Sequence, residues 1–205
     1  ELFIAIAEDA GLISDLGKFV LESACRATSR WPIESVAVNV SAPQLKDASF
    51  ALMVAAILQK TGLRPERLEL EITESAWIEE DGAAEQNLES LREIGVKIAL
   101  DDFGTGFSSL GRLQALKVDR IKIDKSFVAG LGNSAADEAI IRAIINMALA
   151  HGLSTTAEGV ETEAQRDFLR EIGCNEFQGF LYSQAISENA LGEMLEQSHP
   201  SRLRA

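Results

Sequence analysis

Two spacings of hydrophobic residues alternate along the chain. Short runs rich in β-branched residues predict six strands, at Val36–Ser41, Leu68–Thr73, Val96–Asp101, Arg120–Asp124, Ser154–Glu158 and Glu176–Phe180. Apolar residues at helical spacing predict helices at Leu16–Arg30, Phe50–Thr61, Ala83–Ile94, Ala135–His151, Glu163–Ile172 and Glu188–Glu196, with a shorter helix at Ser108–Ala115. Strict alternation of strands and helices predicts an α/β fold built on a parallel sheet.

Glycines follow several of the predicted helices. Gly62, Gly95, Gly152 and Gly173 each come after a helical stretch and before a strand, where a left-handed residue commonly ends a helix. No low-complexity linker interrupts the alternation. We therefore expect one domain over residues 1–197, followed by a tail at 198–205.

Polar side chains lie near the end of every predicted strand. They are Asn39, Glu71, Asp101 with Asp102, Lys122, Glu158 and Gln178. In an open doubly wound sheet, the main alternative, these groups would spread along an edge, and no glycine-rich phosphate loop follows the first strand. In a barrel they converge on one mouth, where barrel active sites lie. The pattern therefore favours a barrel.

Charge and composition exclude some classes of binding partner and of cellular location. The net charge of −13 argues against binding to DNA or to an anionic membrane surface, which both require a basic surface. No apolar run approaches the roughly 20 residues that cross a bilayer, so we expect no direct membrane insertion by this segment. The N-terminus reads as an amphipathic helix rather than a signal peptide. Cys25 and Cys174 lie far apart and predict buried thiols, which fits a reducing cytoplasm.

The residue types at the strand ends indicate metal-dependent chemistry. Asn39, Glu71, Asp101 and Asp102 offer hard oxygen ligands without histidine or cysteine, which favours Mg²⁺ or Mn²⁺ over zinc. One of two adjacent aspartates can bridge two cations about 4 Å apart, as two-metal phosphoryl-transfer sites require. Lys122 adds a positive charge, and the set suits hydrolysis of a phosphate ester. Taken singly, each residue has a structural reading, such as a turn, a helix cap or a salt bridge.

Six segments carry a family resemblance. NVSAPQL, LELEITES, IALDDFGTGFSSL, VDRIKIDKSFV, AEGVET and CNEFQGFLYS resemble, in this order, the signature segments of EAL domains, the cyclic-di-GMP phosphodiesterases of bacterial signalling. The resemblance covers most of the chain and implies a modified (β/α)₈ TIM-type barrel. It also implies a two-metal site that hydrolyses cyclic-di-GMP to linear 5′-pGpG.

The resemblance further implies a role for each candidate residue. Metal ligands would be Asn39, Glu71, Asp101, Asp102 and Glu161. Glu158 would act as general base or hold the attacking water, and Lys122 would orient the water or the phosphate. Gln178 would contact substrate, and Glu74 would hold the DDFGTGF loop.

The family pattern begins with two strands that we expect upstream of Glu1, including the strand with the EAL sequence, its metal-binding glutamate and a nearby arginine. We expect a homodimer, cytoplasmic or on the cytoplasmic side of a membrane-anchored protein, attached to a sensory or GGDEF-type domain. The alternatives are a cyclic-di-GMP receptor without catalysis, a purely structural partner-binding domain, and a different barrel enzyme that acts on another phosphoester or as a metal-assisted lyase.

Overall fold

The computed structural model describes residues 2–73, 82–104 and 117–198. The helices in these ranges are α1 Leu2–Asp9, α2 Ile13–Arg30, α3 Ala42–Lys46, α4 Phe50–Thr61, α5 Gly82–Glu93, α6 Lys125–Ala129, α7 Ala135–Ala150, α8 Glu163–Glu171 and α9 Glu188–Ser198. The strands are β1 Val36–Val40, β2 Leu68–Thr73, β3 Lys97–Phe103, β4 Arg120–Ile123, β5 Ser154–Ala157 and β6 Glu176–Phe177. The chain divides into two compact units, one of residues 1–98 with 186–205 and one of residues 99–185.

In the first unit, β1 and β2 pair in parallel, from Val36 opposite Leu68 to Val40 opposite Ile72. Helix α5 is tied to the turn between α3 and α4 by Asn87, which is buried. Its Nδ2 donates to the Leu45 carbonyl at 2.8 Å, and its Oδ1 accepts from the Ala51 amide at 3.1 Å. These bonds satisfy a buried amide and hold the helices that follow β1 in place.

In the second unit, the strand segments from Ala99 onward run in parallel, with β4 between β3 and β5 and with β6 beside β5. Helix α7 packs against β4 and β5. Ile121, Ile123 and Ile141 are fully buried there. The apolar alternate positions of β4 thus form the core of this unit, while the intervening positions Arg120 and Lys122 point to the other face of the sheet.

All six predicted strands are confirmed, with changes at their ends. Strand β3 continues to Phe103 through a register shift after Leu100, and β6 has two residues rather than five. The five-residue helices α3 and α6 were not predicted, because so short a segment shows no helical periodicity. The predicted helix at Ser108–Ala115 lies outside the described residues.

The predicted left-handed helix ends are confirmed. The four glycines have φ values of 69°, 99°, 70° and 93° in chain order, and Gly62 caps α4 with its amide bonded to the Leu58 carbonyl at 2.9 Å. Cys25 and Cys174 are buried and outside any disulfide, as predicted. Within the described ranges, no helix combines the length and the apolar character that a bilayer crossing requires.

Candidate active site

A buried lysine is the centre of the candidate site in the second unit. Lys122 Nζ lies 3.0 Å from Asp101 Oδ1 and 2.6 Å from Glu158 Oε1, and its side chain is 4% exposed. Asp101 is on β3, Lys122 on β4, and Glu158 directly follows β5. The Glu158 amide donates to the Ile123 carbonyl at 3.0 Å, which continues the β4–β5 ladder by one residue. The ladder therefore determines where this carboxylate meets the ammonium.

Asp102 joins the site through an unusual backbone conformation. Its φ of 55° is the one positive value among non-glycine residues in the described part of the chain. Consecutive side chains of a regular strand point to opposite faces, so Asp101 and Asp102 would normally diverge. Asp102 lies at the register shift of β3 and has a left-handed backbone conformation, which aspartate tolerates better than most residues do. As a result, one oxygen each from Asp101, Asp102 and Glu158 lie within 4.8 Å of one another.

The site carries more negative than positive charge. Burial raises the pKa of Glu158, although the hydrogen bond and the charge of Lys122 act in the opposite direction. Asp102 is exposed as a residue, but partial burial of its carboxyl group, followed by the negative charge of Asp101, raises the pKa of this group. Three carboxylates facing one ammonium would be stabilised by an additional cation. The donor set consists of hard oxygen atoms, so Asp101, Asp102 and Glu158 fit a divalent cation such as Mg²⁺ or Mn²⁺.

In the first unit, two further predicted ligands are neighbours in the sheet. Asn39 on β1 is in register with Glu71 on β2, so both side chains lie on the same face. Glu71 is 7% exposed, and Asn39 is exposed. Glu69, which was not predicted, precedes Glu71 by two residues and is equally buried on that face. The period-two pattern of LELEIT contained this signal.

The remaining predicted site residues lie in loops or outside the described residues. Glu161 and Gln178 are exposed. Their loops are joined by the Val160 amide, which donates to the Gln178 carbonyl at 3.0 Å. Within the described ranges, Glu161 does not belong to the carboxylate group of Asp101, Asp102 and Glu158, so its metal role stays a prediction. Glu74 lies outside the described residues.

Arg120 is a buried polar residue that sequence reasoning missed. It is 9% exposed, and its Nη1 atom donates to Thr156 Oγ1 at 2.8 Å and lies 2.7 Å from Glu176 Oε2. Arg120 precedes Lys122 by two residues in RIKID, so the alternation of the strand places both on one face. The alternation could have predicted the face on which Arg120 lies. Its partners on β5 and β6 depend on the register of the strands, which the sequence does not give.

The chain belongs to the EAL domain family, because the family model for the EAL domain matches residues 1–185. The chain is 40% identical over 194 residues to MucR of Pseudomonas aeruginosa, named a bifunctional diguanylate cyclase/cyclic di-GMP phosphodiesterase. That match covers 92% of this chain and 28% of MucR. The chain spans between about a fifth and a third of the length of the curated relatives it matches first.

Solved structures agree with the family assignment. The MucR phosphodiesterase in complex with c-di-GMP matches with a TM-score of 0.88 and 40% identity, over 93% of this chain and 79% of that one. The EAL domain of Mycobacterium smegmatis DcpA matches with a TM-score of 0.83 and 41% identity, over 91% and 86%. Klebsiella pneumoniae BlrP1 with manganese and c-di-GMP matches with a TM-score of 0.78 and 29% identity, over 84% and 45%. The predicted fold class, α/β with part of a TIM-type barrel, is confirmed.

Proposed function

We propose that the protein hydrolyses one phosphodiester bond of cyclic-di-GMP to give linear 5′-pGpG, with Mg²⁺ or Mn²⁺ as cofactor, and so lowers the level of this messenger. The observation that carries the proposal is the buried Lys122 ammonium between Asp101 and Glu158, beside Asp102. This arrangement combines a cation-binding group, a base and a fixed positive charge, which are the parts that phosphodiester hydrolysis needs. The similarity to MucR supports the choice of substrate.

Asp101, Asp102 and Glu158 would hold a divalent cation, and Asn39, Glu71 and Glu161 are proposed as further ligands from the family resemblance. When bound, such a cation supplies Lewis-acid polarisation of the phosphoryl oxygens and lowers the pKa of water. This role accounts for a cluster in which one oxygen from each of three carboxylates lies within 4.8 Å of the others.

The side chains of the site would share the work of proton transfer and positioning. Water adds to phosphorus as one of its protons passes to Glu158, the bond from phosphorus to the leaving sugar oxygen breaks, and that oxygen takes up a proton from solvent. Burial raises the pKa of Glu158, which makes its carboxylate a better proton acceptor than an exposed one. Lys122 holds Asp101 and Glu158 in place and directs positive charge toward the phosphate or the water. Gln178 would contact substrate.

The wider assembly is also a proposal. Glu74 would hold the DDFGTGF loop, and a homodimer is expected. The matched relatives are several times longer than this chain, which supports an attached sensory or GGDEF-type domain. The proposed location is the cytoplasm or the cytoplasmic side of a membrane-anchored protein.

The test is hydrolysis of cyclic-di-GMP, followed by chromatography for pGpG, with Mg²⁺, with Mn²⁺ and with a chelator. The 205-residue chain and a form extended upstream are assayed in parallel. Metal-dependent pGpG formation supports the proposal. Nucleotide binding without turnover in the extended form would favour the alternative, a non-catalytic receptor, and absence of both would reject the two functions.

Two variants assign roles within this assay. Glu158→Gln should abolish turnover and leave nucleotide binding measurable, because the amide cannot accept the proton. Asp101→Asn should raise the metal concentration needed for half-maximal activity, because a neutral amide replaces a charged ligand. Glu171→Gln changes an exposed glutamate of α8 and serves as the matched control. Near-normal turnover by Glu158→Gln would remove that residue from its assigned role.

A further inference from the structure

Strand β6 directly precedes the predicted site residue Gln178 and is very short. Glu176 and Phe177 are its two residues, in register with Thr156 and Ala157 of β5, and Gln178 follows directly. The Gln178 amide donates to the Ala157 carbonyl at 2.8 Å. The Val160 amide donates to the Gln178 carbonyl at 3.0 Å, so both backbone groups of Gln178 are bonded, and side-chain contacts of the short strand before it add to these bonds.

We propose that Arg120 is a positioning residue that anchors β6 through Glu176 and thereby places Gln178 for substrate binding. This inference rests on the function proposed above. The Nη1 atom of Arg120 contacts both Thr156 Oγ1 at 2.8 Å and Glu176 Oε2 at 2.7 Å. One nitrogen of β4 therefore holds β5 and β6 at the same point.

The register of the strands makes this contact possible. Lys122, Thr156 and Glu176 are in register across β4, β5 and β6, and Arg120 lies one row earlier on the same face. The Arg120 side chain extends toward the row of Lys122, in the same direction in which Lys122 extends toward Glu158. Two successive cations of β4 are thus each paired with a carboxylate of a neighbouring segment.

The Arg120–Glu176 pair joins a buried side chain to an exposed one. The Arg120 side chain is 11% exposed, whereas that of Glu176 is 59% exposed. A largely exposed carboxylate is solvated by water, so the hydrogen-bonding capacity of Glu176 would be met without Arg120. For Arg120, the contact satisfies a buried donor, and it fixes the strand through a charge-assisted hydrogen bond.

Other contacts hold the backbone at the beginning of β6, whereas Arg120 holds the Glu176 side chain. Asn175 Oδ1 accepts from the Thr155 amide at 2.8 Å, and the Cys174 thiol lies against the same strand. The same thiol also lies 3.3 Å from the Glu176 carbonyl oxygen, so these contacts fix the backbone at the beginning of the strand. The Arg120 contact is at the position from which the chain continues to Gln178.

The variants that test the inference are Arg120→Met, which removes the anchor, Arg120→Lys, which restores a donor, and Glu176→Gln. The last removes the charge from an exposed side chain and should leave folding unchanged even where Arg120→Met destabilises the protein. Arg166→Gln is the control, because Arg166 pairs at 2.8 Å with Asp167, whose side chain is also 59% exposed.

Two readouts are measured for each variant in the full chain. The first is hydrogen exchange of the backbone amides from Asn175 to Gln178, which does not depend on catalysis. The second is steady-state hydrolysis, separated into KM for cyclic-di-GMP, kcat and the metal activation constant. Arg120→Met and Glu176→Gln should speed exchange at Gln178 and raise KM about tenfold, as expected for loss of one charge-assisted hydrogen bond. The kcat and the metal activation constant should change little, and Arg120→Lys should recover much of the KM.

Each outcome decides a separate point. Unchanged exchange and unchanged KM in Arg120→Met would overturn the anchoring role. Faster exchange with an unchanged KM would overturn the link between β6 and substrate binding. Absence of turnover in the unsubstituted protein at every metal concentration would instead refute the proposed phosphodiesterase function, while the exchange data would still decide whether Arg120 anchors β6.

Discussion

Replacing Lys122 by methionine should destabilise the protein in a manner that depends on pH and on divalent cations. The ammonium is buried between Asp101 and Glu158, at 3.0 and 2.6 Å. With Asp102 counted, three carboxylates face this ammonium, so the formal charge of the group changes from −2 to −3 on substitution. Methionine has nearly the same length, so the change tests charge rather than volume.

The size of the effect follows from the burial of the ion pairs. Removing one partner of a buried pair costs about 3–5 kcal/mol, because the remaining charge loses its compensation. The Lys122 side chain is 4% exposed and those of Asp101 and Glu158 are 12% and 18% exposed, so this range applies. Proton uptake by the carboxylates will reduce the cost wherever the pH permits it.

The sign of the pH dependence follows from Glu158. Burial already raises its pKa above the ordinary 4.5, and Lys122 is the group that opposes this shift, so the substitution should raise the pKa further. A group with a raised pKa in the folded state contributes stability that is present below its unfolded pKa and is lost as the pH rises through its folded pKa. The loss of unfolding free energy caused by Lys122→Met should therefore be largest near pH 7 and smaller near pH 5. Each additional bound proton can recover up to about 2.7 kcal/mol over these two pH units.

The assay is urea unfolding followed by circular dichroism, at both pH values, with and without Mg²⁺. Mg²⁺ should raise the unfolding midpoint of Lys122→Met more than that of the unsubstituted protein, because a bound cation replaces the missing charge. Lys60→Met is the control, since Lys60 is 63% exposed in its pair with Glu22 at 2.8 Å and should contribute at most about 1 kcal/mol. An equal deficit at both pH values, without any response to Mg²⁺, would refute the charge-balance argument.

Three further predictions concern the scaffold and the loops. Arg67→Met should cost about 2–4 kcal/mol of unfolding free energy, measured in urea, because Nη2 of Arg67 reaches three backbone carbonyls at 2.8–2.9 Å. Gly179→Ala should raise KM for cyclic-di-GMP, because a Cβ would lie 2.2 Å from the backbone oxygen of Val160 and force the two loops apart; an unchanged KM would contradict this. Burial raises the pKa of the Cys25 thiol from 9.0 to about 11, so its stabilising contribution should be present below pH 9 and lost as the pH rises to about 11. The resulting fall in the urea midpoint should be absent from Cys25→Ser.

The sequence predicted those parts of the site that depend on local periodicity. Asp101, Lys122 and Glu158 were predicted from their positions at successive strand ends, and the structure brings these three side chains together. The reason is geometric. Parallel neighbouring strands place their carboxyl ends at one edge, so residues at equivalent positions of successive strands become neighbours without any long-range information.

The sequence could not predict features that depend on register or on unusual backbone conformation. Asp102 has a left-handed conformation within an otherwise regular strand. The sequence LDDFG does not distinguish a strand with a bulge from a strand that simply ends there. The pairing of Arg120 with Glu176 joins residues 56 positions apart in the numbering, through the register of three strands. Side-chain alternation identifies the face on which Arg120 lies but not its partner.

The alternation of β4 explains how a charged site and a stable core coexist in one short strand. Ile121 and Ile123 are fully buried on the face that α7 covers, and Arg120 and Lys122 lie on the opposite face with their carboxylate partners. Burying a cation costs several kcal/mol unless it is paired, so Asp101 and Glu158 stabilise the fold as well as serve the chemistry. Substitutions that preserve the charge balance, such as Arg120→Lys, should therefore keep the stability and most of the substrate affinity of the protein. Substitutions that remove a buried member of a pair, such as Lys122→Met, will change both stability and function.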